Sequence, residues 1–353
     1  MKIFNSQHLI LAGGSGFLGK LLARHFIALG WRVTVLTRAK VGQGFQPVRA
    51  KGKEAASAVG MDCRLEARQY AGDRLETPSY LEWDGCTLGN WTAALEGADA
   101  VINLAGRSVN CRYHARNRRL MLDSRVNATR VLGEAIARCG RPPRVWLNFS
   151  TATIYKHTFG LAWDEAGEIG ATPAAKDAFS IEVATAWERA FNEAVTPRTR
   201  KVALRSAMVF GLSEDANNVY RVLRRLVRCG LGGRMGSGRQ FVSWIHETDF
   251  CRAVEFLIDR EDLHGPVNLA APHPLTNADM MAVLRRVSKR AVGLPAAEWM
   301  IELGAFFLRT ETELIIKSRR VIAGRLREAG FKFQFEQLEA AVRELESRLN
   351  AKS

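Results

Sequence analysis

Residues 9–19, LILAGGSGFLG, constrain the fold of this chain more than any other stretch. Residues 8–12 form a short apolar run, which is typical of a buried strand in a parallel sheet. The apolar residues that follow change to helical spacing and share one face of a predicted helix; they are Phe17, Leu18, Leu21, Leu22, Phe26 and Leu29. The segment therefore predicts a strand that leads through a glycine turn directly into a helix.

Three glycines of this turn, Gly13, Gly16 and Gly19, follow one another at intervals of three residues. A dinucleotide site needs glycines in this pattern for the tight turn, for the approach of the backbone to the pyrophosphate, and for packing of helix on strand. The N–H groups at the start of the helix would then face the phosphates. We therefore predict a dinucleotide site formed by Gly13, Gly14, Ser15, Gly16, Phe17, Leu18 and Gly19.

The next strand indicates which dinucleotide is bound. Residues 31–37 (WRVTVLT) end about 20 residues after the glycines, where the adenosine ribose is expected. An NAD site usually has Asp or Glu there, whereas this chain has Thr37 and Arg38, followed by Lys40. Because a guanidinium can donate a bidentate pair to a 2′-phosphate, we expect NADP(H), held by Thr37 and Arg38. The alternative is that Arg38 and Lys40 begin a basic surface loop.

Further along the chain, predicted strands alternate with predicted helices. The strands are 80–83, 99–104, 144–149 and 201–209, and the helices are 121–139, 174–193 and 217–228. This alternation predicts an α/β fold with a Rossmann-type, doubly wound parallel sheet. The carboxyl ends of such strands face the cofactor crevice. Asn103, Leu104, Ala105 and Gly106 are therefore expected beside the dinucleotide.

The pattern changes after about residue 211. Glycine-rich turns lead to residues 241–246 and a predicted helix over 247–259, and residues 267–269 could return to the main sheet. The tail from residue 277 is predicted to be mostly helical, with a last helix over 338–349. We therefore divide the chain into a dinucleotide-binding domain, 1–211, and a smaller, mostly helical C-terminal region, 212–353. Residues 40–79 lack periodicity and are interpreted as an insertion, either solvated or a lid, with a short helix near 53–59.

Composition limits the remaining classes of function. The net charge of +15 is spread over several helical segments without interleaved aromatic residues, so we attribute it to solvated helix faces or to a cleft for an anionic ligand, not to nucleic acid. No apolar run reaches the roughly 18 residues of a membrane span, and the first residues do not resemble a signal peptide. The six cysteines form no C-x-x-C pair. We expect a cytoplasmic protein with reduced thiols and no metal site.

Seven motifs distributed along the chain together resemble one family. They are GGSGFLG at 13–19, NLAG at 103–106, SRVNATRVL at 124–132, STATIY at 150–155, WE at 187–188, FVSWIHETDF at 241–250 and ETELIIKSRRV at 311–321. They resemble the extended, atypical short-chain dehydrogenase/reductases, and more narrowly the epimerase-like subfamily of the NAD-dependent epimerase/dehydratase group that ends in a small domain of unknown function. The resemblance covers nearly the whole chain apart from residues 40–79. It implies an NADP(H)-binding Rossmann domain, a smaller substrate lobe over 212–353 and a small-molecule substrate; a homodimer stays an open alternative.

The same resemblance shows a departure in the catalytic residues. In the wider superfamily a Ser or Thr binds the substrate oxygen, and a Tyr with a Lys four residues later acts as acid and base; Thr151 aligns with the hydroxyl position. Phe179 and Val183 stand in the places of the Tyr and the Lys, and none of the five tyrosines has a Lys four residues later.

The candidate acids are therefore Tyr155, Glu182 and His246, since a positioned His or carboxylate can transfer a proton. Each has a structural alternative: packing for Tyr155, solvation for Glu182, and contacts with Trp244 and Asp249 for His246. The side chains of Arg112, Arg116 and Arg234 could bind an acidic substrate. The leading interpretation is an NADP(H)-dependent oxidoreductase or epimerase in which Thr151 polarises the substrate; the alternative is a sensor or scaffold that binds NADP(H) without turnover.

Overall fold

The computed structural model describes residues 6–38, 77–213, 218–297, 300 and 316–351. The strands are β1 (His8–Ala12), β2 (Arg32–Thr37), β3 (Ser79–Glu82), β4 (Ala100–Asn103), β5 (Val145–Thr151), β6 (Arg200–Ser206), β7 (Met208–Phe210), β8 (Phe241–Val242), β9 (Trp244–His246), β10 (Gly265–Leu269) and β11 (Leu275–Thr276). The helices are α1 (Phe17–Ala28), α2 (Ala115–Arg138), α3 (Ala178–Glu193), α4 (Val219–Arg228), α5 (Glu247–Asp259), α6 (Asn277–Val287), α7 (Gly324–Glu328) and α8 (Leu338–Asn350). The helix expected near 53–59, and most of the insertion around it, lie outside the described residues.

The main sheet has seven strands, all parallel, in the order β10-β6-β5-β4-β1-β2-β3. The chain builds the sheet outward from β1 through β2 and β3, and then continues with β4 on the opposite side of β1. The strand order therefore reverses between β1 and β4, and ligands bind at the carboxyl ends of the strands at such a point. The predicted doubly wound parallel sheet is confirmed.

Successive side chains of the central strands pack on opposite faces of the sheet. Leu9 and Leu11 of β1 face a core that α1 and α5 complete, whereas Ile10 and Ala12 face a core completed by α2 and α3. Because both faces are covered, every residue of β1 is buried. This burial explains the uninterrupted apolar run in the sequence.

The edge strand of this sheet comes from the C-terminal half of the chain. β10 pairs in parallel with β6, with Val267 opposite Leu204, so the expected return of residues 267–269 to the main sheet is confirmed. α5 packs against α1 on one face of the sheet. Residues beyond 211 thus complete both the sheet and one of its helical layers.

The remaining C-terminal elements form a second, helical lobe. Helices α4, α6 and α8 surround a separate apolar core, to which they contribute Tyr220, Met281 and Val342 respectively. Two short strand pairs, β7 with β9 and β8 with β11, border this core. The predicted mostly helical character of this region is confirmed for the residues described.

Three predicted elements differ from the structure in their bounds. The strand predicted over 201–209 is two strands, because the chain leaves the ladder at Ala207 and β7 pairs with β9 instead. The helix predicted from residue 174 begins at Ala178, after a 3₁₀ turn that ends in the left-handed residue Lys176 (φ 53°). The helix predicted from residue 121 begins at Ala115, because the His114 side chain caps it by accepting a hydrogen bond from the Asn117 N–H.

The described residues also bear on membrane and metal binding. No helix among them is long and apolar enough to cross a bilayer. Within the same residues, no group of three or more His, Cys, Asp and Glu side chains is arranged to hold a metal ion. Five cysteines lie in the described part of the chain, and all five are free thiols.

Candidate dinucleotide site and substrate crevice

The turn after β1 can be formed only with glycine at its first position. Gly13 has a φ of +73°, a conformation that side chains rarely adopt, and a Cβ atom there would lie 2.7 Å from Ala105 Cα. The Gly13 N–H donates to the Leu36 carbonyl at 2.9 Å. The turn is therefore held between the loop after β4 on one side and the end of β2 on the other.

The other two glycines of the pattern have different surroundings. A Cβ at Gly19 would overlap the carbonyl oxygen of Gly14, so helix α1 packs on the turn too closely for any side chain. A Cβ at Gly16 would meet no atom of the described residues within 4 Å. Gly16 is also the N-cap of α1, and within the described residues no side chain caps this helix. Open space beside an uncapped helix N-terminus fits an anionic group such as a pyrophosphate.

The end of β2 lies next to this turn. In the parallel ladder Leu36 stands opposite Ala12, so Thr37 and Arg38 follow at the level of the glycines. Thr37 is buried, whereas the Arg38 side chain is exposed. A guanidinium in this position can reach a 2′-phosphate on the adenosine ribose of a dinucleotide bound along the turn. Lys40 lies outside the described residues.

A buried polar network orients the loop after β4. The Asn103 side-chain oxygen accepts a hydrogen bond from the Ala105 N–H at 3.0 Å. Its amide nitrogen donates to Asn148 Oδ1 at 2.7 Å and to Thr129 Oγ1 at 3.1 Å. Trp187 Nε1 also donates to Thr129 Oγ1, at 3.0 Å. The Asn103 side chain thus fixes the backbone of residues 104–106 beside the glycine turn and does not itself project into the crevice.

Thr151 is the last residue of β5, at the same edge of the sheet. It is partly buried, and its Oγ1 accepts a hydrogen bond from the Thr153 N–H at 3.1 Å, which caps the 3₁₀ turn Ala152–Ile154. Among the described residues, none accepts a hydrogen bond from the Thr151 hydroxyl. The hydroxyl proton is therefore available for a ligand oxygen.

Phe179 and Val183 lie in an apolar cluster, and the Arg118 guanidinium of α2 covers the Phe179 ring at 4.9 Å from its centre. They pack with Met121 of α2, and the rings of Phe179 and Tyr113 are in edge contact, with centroids 5.2 Å apart. The side chains of α3 are therefore apolar at the two positions where the family resemblance places an acid and its activating cation.

Tyr155 is buried, and protein groups occupy both hydrogen-bonding functions of its hydroxyl. The hydroxyl donates to Asn268 Oδ1 at 2.8 Å and accepts from Arg205 Nη1 at 2.9 Å. Arg205 in turn forms a bidentate ion pair with Glu188. Burial raises the pKa of Tyr155 above its usual range. These contacts correspond to the packing alternative stated for this residue.

Glu182 and His246 occupy different environments. The Glu182 side chain is exposed on α3. His246 is fully buried and caps α5, because its Nδ1 accepts from the Thr248 N–H at 3.2 Å; its Nε2 lies 3.1 Å from Glu344 Oε2. Its hydrogen-bond partners are thus the Thr248 N–H and Glu344, and its ring packs on Phe335 with the centroids 4.0 Å apart; Trp244 and Asp249, which were considered from the sequence, do not have this role.

A second buried ion pair, like that of Arg205 with Glu188, was not recognised in the sequence. Lys317, from the C-terminal segment, places its Nζ 2.6 Å from Asp177 Oδ2 and 2.6 Å from the Thr153 carbonyl oxygen. The second Asp177 oxygen accepts from the Thr172 N–H at 2.8 Å. Lys317 belongs to the motif at 311–321, and Asp177 directly precedes α3, but spacing alone does not indicate that residues 140 positions apart in sequence form a pair.

Comparisons with known proteins agree with this geometry. The model of the NAD dependent epimerase/dehydratase family matches residues 9–270, and that of a domain of unknown function, DUF1731, matches residues 296–345. Epimerase family protein SDR39U1 of Bos taurus is 27% identical over 345 residues, which cover 96% of this chain and 99% of that protein. Epimerase family protein Mb2239 of Mycobacterium bovis is 32% identical over 250 residues, 70% of this chain and 79% of that protein.

A solved structure extends the similarity. Human epimerase family protein SDR39U1 (isoform 2), solved with NADPH, superimposes with a TM-score of 0.77 at 25% identity, over 97% of this chain and 99% of that one. The family model covers the glycine turn, the loop after β4 and Thr151, which are the parts of the crevice described above. The chain therefore belongs to the NAD-dependent epimerase/dehydratase family and carries a DUF1731 segment at its C-terminal end.

Proposed function

We propose that the protein is an NADP(H)-dependent enzyme of the epimerase type that acts on a small anionic or sugar-type substrate without a Tyr-x-x-x-Lys pair. The observation that carries this proposal is the open space at Gly16, beside an uncapped helix N-terminus and the exposed Arg38. The NADPH in the human relative supports the choice of cofactor. Bound NADP(H) would supply the group that accepts or donates a hydride.

The residues of the chain would bind and orient the reactants. Backbone N–H groups of the glycine turn would hold the pyrophosphate, and Arg38 the 2′-phosphate. Thr151, with its hydroxyl proton free, would donate a hydrogen bond to the substrate oxygen and polarise it. The carboxyl edge of the sheet brings these groups to one crevice.

A second function has its own supporting observation. Phe179 and Val183 close an apolar cluster where the superfamily has its acid and base, which favours a sensor or scaffold that binds NADP(H) without turnover. Both functions require the same cofactor site. The expected cytoplasmic location, the absence of nucleic-acid and membrane partners, and a homodimer stay predictions.

Two measurements test the proposal. Native mass spectrometry of the purified protein should show bound NADP(H), and a protein that is empty and takes up no added NADPH would contradict the cofactor assignment. NADPH oxidation with a panel of carbonyl compounds should then be lost in Thr151→Ala and retained in the matched control Thr151→Ser. If wild type binds NADPH and Thr151→Ala changes no measured turnover, the sensor function is favoured instead.

A further inference from the structure

Among the residues that the structure describes, Arg125 of α2 is a cation without an acidic partner. Its Nη1 donates to the Met121 carbonyl at 3.0 Å, and its guanidinium lies 5.1 Å from the centre of the Trp187 ring. In the described part of the chain, no carboxylate forms an ion pair with it, and the Met121 contact is its one hydrogen bond. The side chain is only partly accessible. Most of its five N–H donors are thus left for a ligand.

The guanidinium lies at the crevice rather than on the outer surface of α2. A Cβ atom at Gly106 would be 3.1 Å from Arg125 Cζ, so the group touches the loop after β4. The same loop contacts the glycine turn, through Ala105 and Gly13. Arg125 therefore lies beside the backbone that would border the cofactor.

Its second neighbour is the apolar face of α3. Trp187, on which the guanidinium stacks, stands one helical turn after Val183. The positive charge that α3 lacks is thus present close to the same face, but it comes from α2.

The contacts of Arg125 with the described residues do not fully offset the free-energy cost of burying its positive charge. Burial lowers the pKa of Arg125 to about 10, so the group remains charged at neutral pH. Stacking on Trp187 offsets only part of the lost hydration, since a cation–π contact stabilises a buried cation less than water does. A bound oxyanion would compensate the rest, because the planar fork of a guanidinium matches a carboxylate or phosphate with two parallel hydrogen bonds.

We propose that Arg125 binds the oxyanion group, carboxylate or phosphate, of the substrate in the crevice beside the cofactor. The inference rests on the proposed function and narrows its substrate class to acids or phosphate esters. Arg125 would be a substrate-binding residue whose side chain is positioned by Trp187 and by the Met121 carbonyl.

The experiment titrates the NADPH-saturated protein with malonate and, separately, with inorganic phosphate by calorimetry at constant ionic strength. Wild type should bind at least one of these anions at one site. In Arg125→Met the affinity should fall roughly 10- to 100-fold, as expected for loss of hydrogen bonds to a charged group. Arg130→Met is the matched control, because Arg130 is exposed on the same helix, and it should bind the anion like wild type.

Three results would overturn the proposal: no anion binding by wild type, unchanged binding in Arg125→Met, or loss of NADPH affinity in that variant, which would assign Arg125 to the cofactor. If wild type fails to bind NADPH, the proposed function fails, and the same titration of the cofactor-free protein still decides whether Arg125 holds an anion. If circular dichroism shows that Arg125→Met does not fold, Arg125→Lys replaces it. That variant keeps the charge but not the bidentate geometry, and at least a fivefold loss of anion affinity is expected.

Discussion

Lys317 Nζ lies 2.6 Å from Asp177 Oδ2, and neither side chain is exposed to solvent. The same ammonium group donates to the carbonyl of Thr153, two residues after Thr151. The pair therefore joins the C-terminal segment to the start of α3 and to the turn that follows β5. The turn next to the candidate substrate-binding hydroxyl is thus held by residues from two other parts of the sequence.

Replacing Lys317 by Met should leave the Asp177 carboxylate buried without its cation. Breaking a buried pair from one side costs about 3–5 kcal/mol, so the free energy of unfolding measured in urea should fall by about that amount. Lys332→Met removes an exposed lysine and should change the unfolding free energy by less than about 0.5 kcal/mol. A loss below about 1 kcal/mol in Lys317→Met would show that the pair contributes little to stability.

Substitutions at two glycines of the turn should have different effects: one should weaken cofactor binding, and the other should destabilise the fold. Gly16→Val places a side chain in open space, so NADPH binding should weaken at least tenfold while the unfolding free energy falls by about 1 kcal/mol or less. Gly19→Val drives a side chain into the Gly14 backbone and should destabilise the fold by several kcal/mol. Fluorescence titration with NADPH and urea unfolding measure the two effects. If Gly16→Val binds NADPH as tightly as wild type, the pyrophosphate does not lie at Gly16.

Arg38 should discriminate between the two nicotinamide cofactors. Arg38→Glu places a negative charge at the end of β2, so NADPH affinity should fall by about 1.5–3 kcal/mol, roughly 10- to 100-fold, and NADH affinity much less. Arg24→Glu makes the same change of charge at an exposed position on α1 and should affect the two cofactors equally. Equal losses for NADPH and NADH in Arg38→Glu would contradict contact with a 2′-phosphate.

His8 at the start of β1 should make stability depend on pH. Its Nδ1 accepts from Arg32 Nη2 at 2.9 Å, so Nε2 carries the proton and donates to Thr34 Oγ1. Burial, with the neighbouring Arg32 charge, lowers the pKa of His8 to about 4. Between pH 6.5 and 4 the unfolded chain therefore binds more protons than the folded one, and stability falls as the pH is lowered through this range.

From pH 7 to pH 5 the contribution of His8 to the unfolding free energy should fall by about 2 kcal/mol. His8→Gln keeps one acceptor and one donor but does not titrate, so its loss of stability over this interval should be smaller by that amount. Urea unfolding of both proteins at the two pH values measures the difference. If the unfolding free energies of wild type and His8→Gln fall equally from pH 7 to pH 5, His8 does not take up a proton on unfolding.

The sequence was sufficient to predict the layers of the main sheet because its signals are local. The apolar run 8–12, the glycine spacing and the helical periodicity after Phe17 each arise within one strand or one turn, and the structure reproduces them with nearly the predicted bounds. The bounds that were wrong depend on specific geometry: the cap at His114, the left-handed Lys176, and the exchange of partner strands at Ala207.

The polar interior of the site could not be predicted in the same way. Asn103, Asn148 and Thr129 are far apart in the sequence, and each is an ordinary polar residue until the sheet and α2 bring them into one network. Arg125 was visible only as part of the SRVNATRVL motif. That no carboxylate of the described residues pairs with Arg125 is a property of the fold, because it depends on which side chains the fold brings near the guanidinium.

The place of β10 at the edge of the sheet affects how the chain folds during synthesis. Until about residue 269 has been made, β6 is an open edge whose N–H and C=O groups can pair with other chains. Pairing between strands so far apart in sequence is slow, which prolongs this exposure. The half of the protein that holds the glycine turn therefore depends on the half translated after it, and a ribosome stalled near residue 211 would present an aggregation-prone intermediate rather than a finished cofactor-binding domain.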